Sequence, residues 1–151
     1  MRCVFCGADT KVVDKRNSED SIRRRRECLS CEKRFTTHER PDLNITVIKK
    51  DGRREPFRRE KILAGIMRAC EKRPVSREVI DDIVDKIEAE IRRSGDEIPT
   101  KKIGDVVMKK LRTLDKVAYI RFASVYRSFD DLDSFEKELK ELKQTIKTRN
   151  Q

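Results

Sequence analysis

Four of the five cysteines occur as two pairs with identical spacing. Two residues separate Cys3 from Cys6, and two separate Cys28 from Cys31. A spacer of this length lets a tight turn direct both sulfur atoms to one point, so two such pairs can supply the four tetrahedral thiolates of a structural zinc site. One pair alone would equally suit a redox motif. The two pairs together favour one zinc ion per chain, holding a small β ribbon.

Four consecutive arginines, Arg23–Arg26, lie just before the second cysteine pair. Side chains alternate between the faces of a strand, so two arginines should point each way, and a ribbon this small should leave most of them exposed. Arginine binds phosphate bidentately and reads guanine in the major groove. The pattern therefore favours nucleic-acid contact over the alternative, a solvated strand balanced by nearby carboxylates. RNA would fit as well as DNA.

A second basic cluster follows at residues 47–61. Residues 44–49 are β-branched and predict a strand, Asp51-Gly52 predicts a turn, and residues 53–57 predict the returning strand. A helix should begin near Arg58, and the N-terminus of a helix attracts anions. The segment is a plausible phosphate site, although it lacks a Walker loop. The cations that can serve it are Lys49, Lys50, Arg53 and Lys61.

Two other residues of this cluster have alternative interpretations. Glu55 is an acceptor among cations and suits either a ribose hydroxyl or an internal salt bridge. Phe57 can pack on a base, but packing into the core is the preferred interpretation.

Four helical segments should follow the hairpin, because apolar residues recur at helical spacing. The first runs from Arg58 to Lys72 and buries the unpaired Cys70; Ser76 caps the second, the third begins at Pro99-Thr100, and Asp115 caps the fourth, which is apolar on several faces and should be well buried. A last amphipathic helix carries a narrow apolar seam typical of a coiled coil. It can pack on its own domain or pair with another chain, and pairing is the preferred interpretation. The seam residues are Leu132, Phe135, Leu139, Leu142 and Ile146.

The composition limits the classes of protein to consider. The chain has 151 residues, 44% of them charged, with a formal net charge of +10. Such an excess favours polyanionic partners, although a highly solvated surface is also consistent with it. No apolar run is long enough for a membrane span, and the N-terminus lacks the pattern of a signal peptide. We therefore expect a cytoplasmic protein with no membrane partner.

The chain resembles the NrdR family, bacterial transcriptional repressors of ribonucleotide reductase genes, from Cys3 to about Phe129. The middle is similar to an ATP-cone, a regulatory nucleotide module. The chain departs from the family pattern where Lys49-Lys50 replaces a Lys-Arg pair, where Lys15 precedes Arg16 in place of a small serine, and where His38 stands at a position that is commonly aromatic. The charged tail after Phe129 is also less characteristic of the family. The motifs that carry the resemblance are the two cysteine pairs, the arginine run before Cys28, and residues 34–37, 53–57, 71–76 and 114–127.

The resemblance implies an α+β fold with a division of labour. A zinc-ribbon DNA-binding domain should occupy residues 1–42, a mostly helical ATP-cone with an N-terminal β-hairpin residues 43–130, and a charged helix residues 131–151. The ribbon should bind double-stranded operator boxes. The cone should bind ATP or dATP as regulatory ligands that set the homo-oligomer, whether dimer, tetramer or larger, with the deoxynucleotide form repressing.

The resemblance and the local patterns together assign the site residues. Those for nucleotide binding are Val47, Lys49, Lys50, Arg53, Glu55, Phe57, Lys61 and Tyr126. Those for DNA binding are Arg16, Arg23, Arg24, Arg25, Arg26 and Arg34. Loss of Arg24 and Arg26 together is expected to abolish operator binding.

Two rival functions fit the sequence less well. An enzyme is disfavoured because one histidine and one unpaired cysteine offer no acid–base or radical constellation. A zinc-ribbon adaptor for RNA or RNA polymerase would account for the arginines, but it would have no reason to respond to dATP.

Overall fold

The computed structural model describes residues 1–18, 21–42, 44–129 and 131–147, with side chains as far as Lys143. The chain forms two compact units, Met1–Leu43 and Asn44–Gln151. The first is built of strands and the second mainly of helices, which confirms the α+β class.

The first unit is a three-stranded antiparallel sheet. Its strands are β1 (Thr10–Asn17), β2 (Ile22–Cys28) and β3 (Arg34–Glu39), in the spatial order β1-β2-β3. The arginine run is therefore the central strand. β1 and β2 pair regularly except at Val13, where β1 contains a bulge. A bulge inserts one unpaired residue and shifts the alternation of side chains beyond it.

The second unit begins with a small mixed sheet. The predicted hairpin is present as β4 (Thr46–Ile48) and β5 (Arg54–Pro56), and Gly52 takes the positive φ that the turn requires. A third strand, β6 (Glu97–Pro99), pairs with β4 in parallel, and the sequence did not predict it. Three residues are too few to show a strand period. β6 places the start of the next helix beside the end of β4.

Five helices complete the described part of this unit. They are α1 (Arg59–Ala69), α2 (Arg77–Arg92), α3 (Thr100–Leu114), α4 (Lys116–Tyr126) and α5 (Leu132–Lys147). Both predicted caps are present, because Ser76 accepts from the backbone N–H of Val79 and Asp115 accepts from that of Ala118. The fully buried core joins α1, α2, β6, α3 and α4, and its residues include Ile66, Ile87, Ile91, Ile98, Leu111 and Ala123. Cys70 is buried as predicted.

The prediction that α4 is well buried is only partly right. The helix buries Ala118, Tyr119 and Ala123, whereas Val125 is 79% exposed. α4 also ends at Tyr126, whereas the sequence pattern predicts a helix from Lys116 to about Phe129. Its apolar residues are more numerous than its contact with the core can cover.

Helix α5 packs on its own unit through a polar group and part of the predicted seam. Leu142 is buried, and the buried carboxylate of Glu138 accepts from the Tyr119 hydroxyl and from Arg127. Leu132, the first seam residue, is 84% exposed, and the side chain of Ile146 lies outside the described residues. Pairing of α5 between chains stays a prediction.

Candidate functional site

The four predicted metal ligands converge at one end of the ribbon. Their sulfur atoms all lie within 4.8 Å of one another, with Cys3 Sγ 3.7 Å from Cys31 Sγ and Cys6 Sγ 3.4 Å from Cys28 Sγ. Zinc–sulfur bonds of about 2.3 Å in a tetrahedron place the sulfurs about 3.8 Å apart. The cluster therefore fits a tetrahedral metal ion bound by four thiolates.

Backbone N–H groups of both turns point at the sulfur atoms. Phe5 donates to Cys3 Sγ, and Ser30 and Cys31 donate to Cys28 Sγ at 3.3–3.4 Å. The Cys31 N–H contributes most to lowering the pKa of the Cys28 thiol to about 6. These bonds favour the thiolate form that a metal ion needs, and the two-residue spacers are what permit them.

The strand register sorts the basic residues of the ribbon onto two faces. Residues directly opposite each other in neighbouring strands share a face. One face holds three rows, which run across β1, β2 and β3 in that order; we call it the cationic face. Its rows are Lys11–Glu27–Arg34, Asp14–Arg25–Thr36 and Arg16–Arg23–His38.

The row nearest the cysteines is organised by one carboxylate. Glu27 accepts from Lys11 Nζ at 3.0 Å and from Arg34 Nε and Nη2 at 2.6 Å each. Lys11 and then Arg34 lower the pKa of Glu27 below its ordinary value. Arg25, in the next row, is exposed and forms no ion pair with any residue that the structure describes.

The opposite face of the ribbon is less charged and partly apolar. It carries Lys15, Arg24 and Arg26 together with Val12 and Phe35. Arg24 Nη1 donates to Glu39 at 2.6 Å, and only 27% of the Arg24 side chain is exposed. Arg26 is also partly buried, and its Nη1 donates to the Thr10 hydroxyl at 3.4 Å.

The expectation that most of the run is exposed is therefore wrong. Only Arg25 is exposed, and Arg23, Arg24 and Arg26 are partly buried, because neighbouring strands cover β2 on both sides. Sequence reasoning also missed Lys11 and Glu27 as members of the cationic face. Lys11 and Arg16 are five residues apart, so simple alternation places them on opposite faces, and the bulge at Val13 brings them together.

The second predicted site has a comparable centre. Glu55 Oε1 accepts from Lys49 Nζ at 3.0 Å and from Lys61 Nζ at 2.7 Å. Lys61 and then Lys49 lower the pKa of Glu55 to about 2. Of the two alternatives for Glu55, the structure contains the internal salt bridge. Because one oxygen bridges the two ammonium groups, these lie within about 6 Å of each other, close enough to share one phosphate.

The remaining predicted nucleotide residues lie around this centre in different ways. Val47 is buried in the sheet opposite Glu55, and Phe57 is partly buried with its backbone N–H on the Ile45 carbonyl. Lys50 is exposed at the turn. Arg53 is ion-paired at 2.6 Å with Asp51 of the same turn, and the described contacts do not join it to Glu55.

Tyr126 is the last residue of α4 and lies far along the chain from Lys49, but it packs at the start of α3. Its hydroxyl donates to the Lys101 carbonyl at 2.6 Å, and its ring lies where a side chain at Gly104 would be. Thr100, the first residue of α3, donates its hydroxyl to the carbonyl of Ile48, at the end of β4. Tyr126 is thus adjacent to a helix that touches the end of β4, directly before Lys49. No helix in the described part of the chain is long and apolar enough to cross a membrane.

Two protein-family models match this chain, one for each unit. The model described as "Transcriptional repressor NrdR-like, N-terminal domain" matches residues 1–39, and the model described as "ATP cone domain" matches residues 45–132. The first match contains the cysteine cluster and the cationic face. The second contains the Lys49–Glu55–Lys61 centre and Tyr126.

Curated relatives match over nearly the full chain. The protein named "Transcriptional repressor NrdR" of Geotalea daltonii is 58% identical over 147 residues, which cover 94% of this chain and 98% of that protein. Proteins of the same name from Petrotoga mobilis and Symbiobacterium thermophilum are 57% and 53% identical, with 95% and 94% of this chain and 99% and 97% of the relatives covered.

Proposed function

Because the chain belongs to the NrdR family of transcriptional repressors, we propose that it represses ribonucleotide reductase genes in the cytoplasm under nucleotide control. One zinc ion holds the ribbon, and the ribbon binds double-stranded operator DNA. The cone binds ATP or dATP. The bound nucleotide selects the oligomer that places several ribbons on the operator. The family is a regulatory one and not enzymatic, as the sequence predicted.

The observation that carries the DNA-binding proposal is the composition of the cationic face. Five basic side chains and two carboxylates share it: Lys11, Arg16, Arg23, Arg25 and Arg34 with Asp14 and Glu27. A surface of this kind displaces condensed counterions from DNA, and their release drives binding. We assign the DNA contacts mainly to Arg16, Arg23, Arg25 and Arg34.

Arg24 and Arg26 receive a smaller role than the sequence suggested. They lie on the other face, where Glu39 already compensates Arg24 and the ribbon's own side chains partly cover Arg26. The double substitution of Arg24 and Arg26 stays untested. We now expect it to weaken DNA binding less than the loss of Arg16 and Arg25.

The nucleotide proposal depends on the charge of the Lys49–Glu55–Lys61 centre. Two ammonium groups share one carboxylate, so the centre keeps a net positive charge. The lysine side chains are 30% and 55% exposed, so a phosphate can reach them. Ammonium groups are point charges whose donors can rotate from the carboxylate to an incoming phosphate. Lys50, at the neighbouring turn, can add positive potential, whereas the charge of Arg53 is compensated there by Asp51.

Control of DNA binding requires that nucleotides discriminate between assembled forms. A ligand shifts an equilibrium only by its differential affinity for the two states. ATP and dATP differ at one ribose hydroxyl, so the proposal requires that the oligomers differ around the ribose. Symmetric oligomers would then place the ribbons at half-sites spaced by turns of the double helix.

The test combines size-exclusion light scattering with binding to DNA. Zinc-loaded full-length protein is measured alone, with ATP and with dATP, and each form is titrated with a fluorescent duplex from upstream of a ribonucleotide reductase gene and with an RNA duplex of the same sequence. We expect different masses with the two nucleotides and tight DNA binding by the dATP form. Equal masses and equal DNA affinity with both nucleotides would refute the control scheme. Preference for the RNA duplex would support the adaptor instead.

A further inference from the structure

Three arginine–carboxylate pairs in the described part of the ribbon differ in which partner is sheltered. In Arg34–Glu27 the acid is 17% exposed and the arginine 57%. In Arg24–Glu39 the order is reversed, because the arginine is 27% exposed and the acid 63%. In the first pair the sheltered carboxylate of Glu27 holds an exposed guanidinium. In the second pair the exposed carboxylate of Glu39 holds a partly buried guanidinium.

The third pair holds its arginine loosely. Arg16 Nε lies 3.6 Å from Asp14 Oδ2, and both side chains are well exposed. A contact of this length and exposure does little to restrict an arginine side chain. Arg34 is therefore the arginine of the cationic face that combines exposure with a close carboxylate among the described residues.

The contacts of Arg34 leave a recognition edge available. Its Nε and Nη2 donate to Glu27 Oε2, while Lys11 donates to the other oxygen. A guanidinium has five N–H donors, so both donors of Nη1 and one of Nη2 remain. These form the fork that hydrogen-bonds the O6 and N7 acceptors of guanine. Glu27 fixes the direction in which the fork points.

The surroundings of Arg34 suit a base edge better than a phosphate. A groove beside it is lined by Lys11, Glu27, Cys28, Leu29, Glu32 and Arg34. The two carboxylates of the groove balance its two basic side chains, so the groove lacks the net positive charge that attracts a phosphate, whereas a carboxylate can accept from the N4 amino group of cytosine. The exposed side chain of Leu29 can contact a thymine methyl group. Arg16 and Arg23 lie in the row farthest from this groove, where Asp14 contacts Arg16 only at 3.6 Å.

We propose that the cysteine end of the cationic face reads base sequence, with Arg34 bound to a guanine in the major groove and Glu27 as its positioning residue. The other two rows of this face, with Arg16, Arg23 and Arg25, bind phosphate. This inference rests on the proposed binding of DNA by the ribbon. It separates residues that determine which sequence is bound from residues that determine how tightly any sequence is bound.

The experiment uses chemically modified duplexes. Zinc-loaded full-length protein with dATP first selects a duplex from a random pool. Each guanine of that duplex is then replaced in turn by 7-deazaguanine, which lacks the N7 acceptor. Affinities are measured for the wild-type protein and for Arg34→Lys, Glu27→Gln and Arg25→Lys. All three variants are checked for one zinc per chain and unchanged thermal unfolding.

We expect one guanine at which the wild-type protein loses about 5-fold or more in affinity, as for loss of part of a bidentate contact. Arg34→Lys and Glu27→Gln should bind the unmodified duplex more weakly and should no longer respond to that replacement. The matched control Arg25→Lys, on the same face with its charge kept, should respond as the wild type does.

Three outcomes would overturn the inference. They are a wild-type protein that responds to no guanine, an Arg34→Lys variant that responds as the wild type does, and a Glu27→Gln variant that keeps the full response. Failure of the proposed function has a different signature, since the wild-type protein would then select no duplex at all.

Discussion

The two units of this chain each contain a carboxylate that accepts hydrogen bonds from two basic side chains, Glu27 in the ribbon and Glu55 in the cone. Glu27 is held by one lysine and one arginine, and Glu55 by two lysines. Glu27 is the more sheltered of the two, with 17% of its side chain exposed against 35% for Glu55.

The difference in the bases suits the two centres to different ligands. An arginine on a sheltered carboxylate is a rigid fork that still has donors left, which suits a ligand recognised by its shape. Two lysines on one carboxylate oxygen are point charges brought together, and an anion of higher charge can displace the carboxylate. The same local pattern can thus serve sequence reading in one unit and phosphate binding in the other.

Removal of the metal should have the largest effect on DNA binding and should leave the function of the cone unchanged. Cys28→Ser, or a chelator on the wild-type protein, leaves the ribbon without the ion that its few buried side chains need for folding. DNA binding should be lost, while the cone still binds ATP. The measurements are duplex binding and calorimetric titration with ATP on the same sample. Cys70→Ser, at the cysteine outside the cluster, is the control for thiol loss, and loss of ATP affinity in the chelated wild type would contradict the independence of the two units.

Loss of one of the two lysines bonded to Glu55 should have the next largest effect, a fall in affinity for ATP. Lys61→Gln removes a charge-assisted hydrogen bond to phosphate, so affinity for ATP should fall by about 10- to 100-fold, as for bonds to charged groups in general. Calorimetric titration with ATP gives the affinity. The matched control is Lys50→Gln, a lysine that is exposed at the turn and is not bonded to Glu55. An equal loss in both variants would show that net potential, and not the Lys49–Glu55–Lys61 centre, binds the nucleotide.

How far the sequence predicted these two sites depended on the range of the interactions involved. The cysteine pairs and the hairpin near Lys49, with the helix start near Lys61 that follows it, were predictable because each depends on a short turn or helix start of recognisable type. The caps at Ser76 and Asp115 were predictable for the same reason, since each bonds a backbone group three residues away.

The features that were missed depend on pairing between distant segments. The face occupied by Arg16 is set by the bulge at Val13, and nothing in the alternation of β1 residues reveals that bulge. β6 has three residues and is recognisable only through its pairing with β4. The sequence left the salt bridge of Glu55 as one of two alternatives, because the rotamers of Glu55, Lys49 and Lys61 decide it.

Substitutions on the two faces of the ribbon should change the salt dependence of DNA binding by different amounts. Arg25→Gln removes a phosphate contact of the cationic face, so the slope of log affinity against log salt should become shallower by about 0.9. Arg24→Gln, next in sequence but on the other face and paired with Glu39, should change this slope much less. Fluorescence anisotropy with one duplex over a series of salt concentrations measures both. Equal changes in slope would show that the strand register does not divide the arginines in the complex.

The smallest effect concerns the titration of the two carboxylates. The pKa of Glu55 is about 2 because Lys61 and then Lys49 donate to it, and Lys11 and then Arg34 lower the pKa of Glu27 in the same way. A carboxyl group whose pKa is lowered by folding stabilises the folded state above its unfolded pKa, which is about 4.3 for glutamate, and this contribution is lost as the pH falls towards the folded value.

Lys61→Gln should therefore raise the pKa of Glu55 towards its ordinary value and leave that of Glu27 unchanged, whereas Arg34→Gln should do the reverse. Carbon NMR of the side-chain carboxyl groups, recorded from pH 6 down to the onset of acid unfolding, follows both residues in one sample. A Glu55 signal that titrates identically in wild type and Lys61→Gln would mean that the lysine pair does not bond the carboxylate in solution. Glu55 would then not be comparable to Glu27.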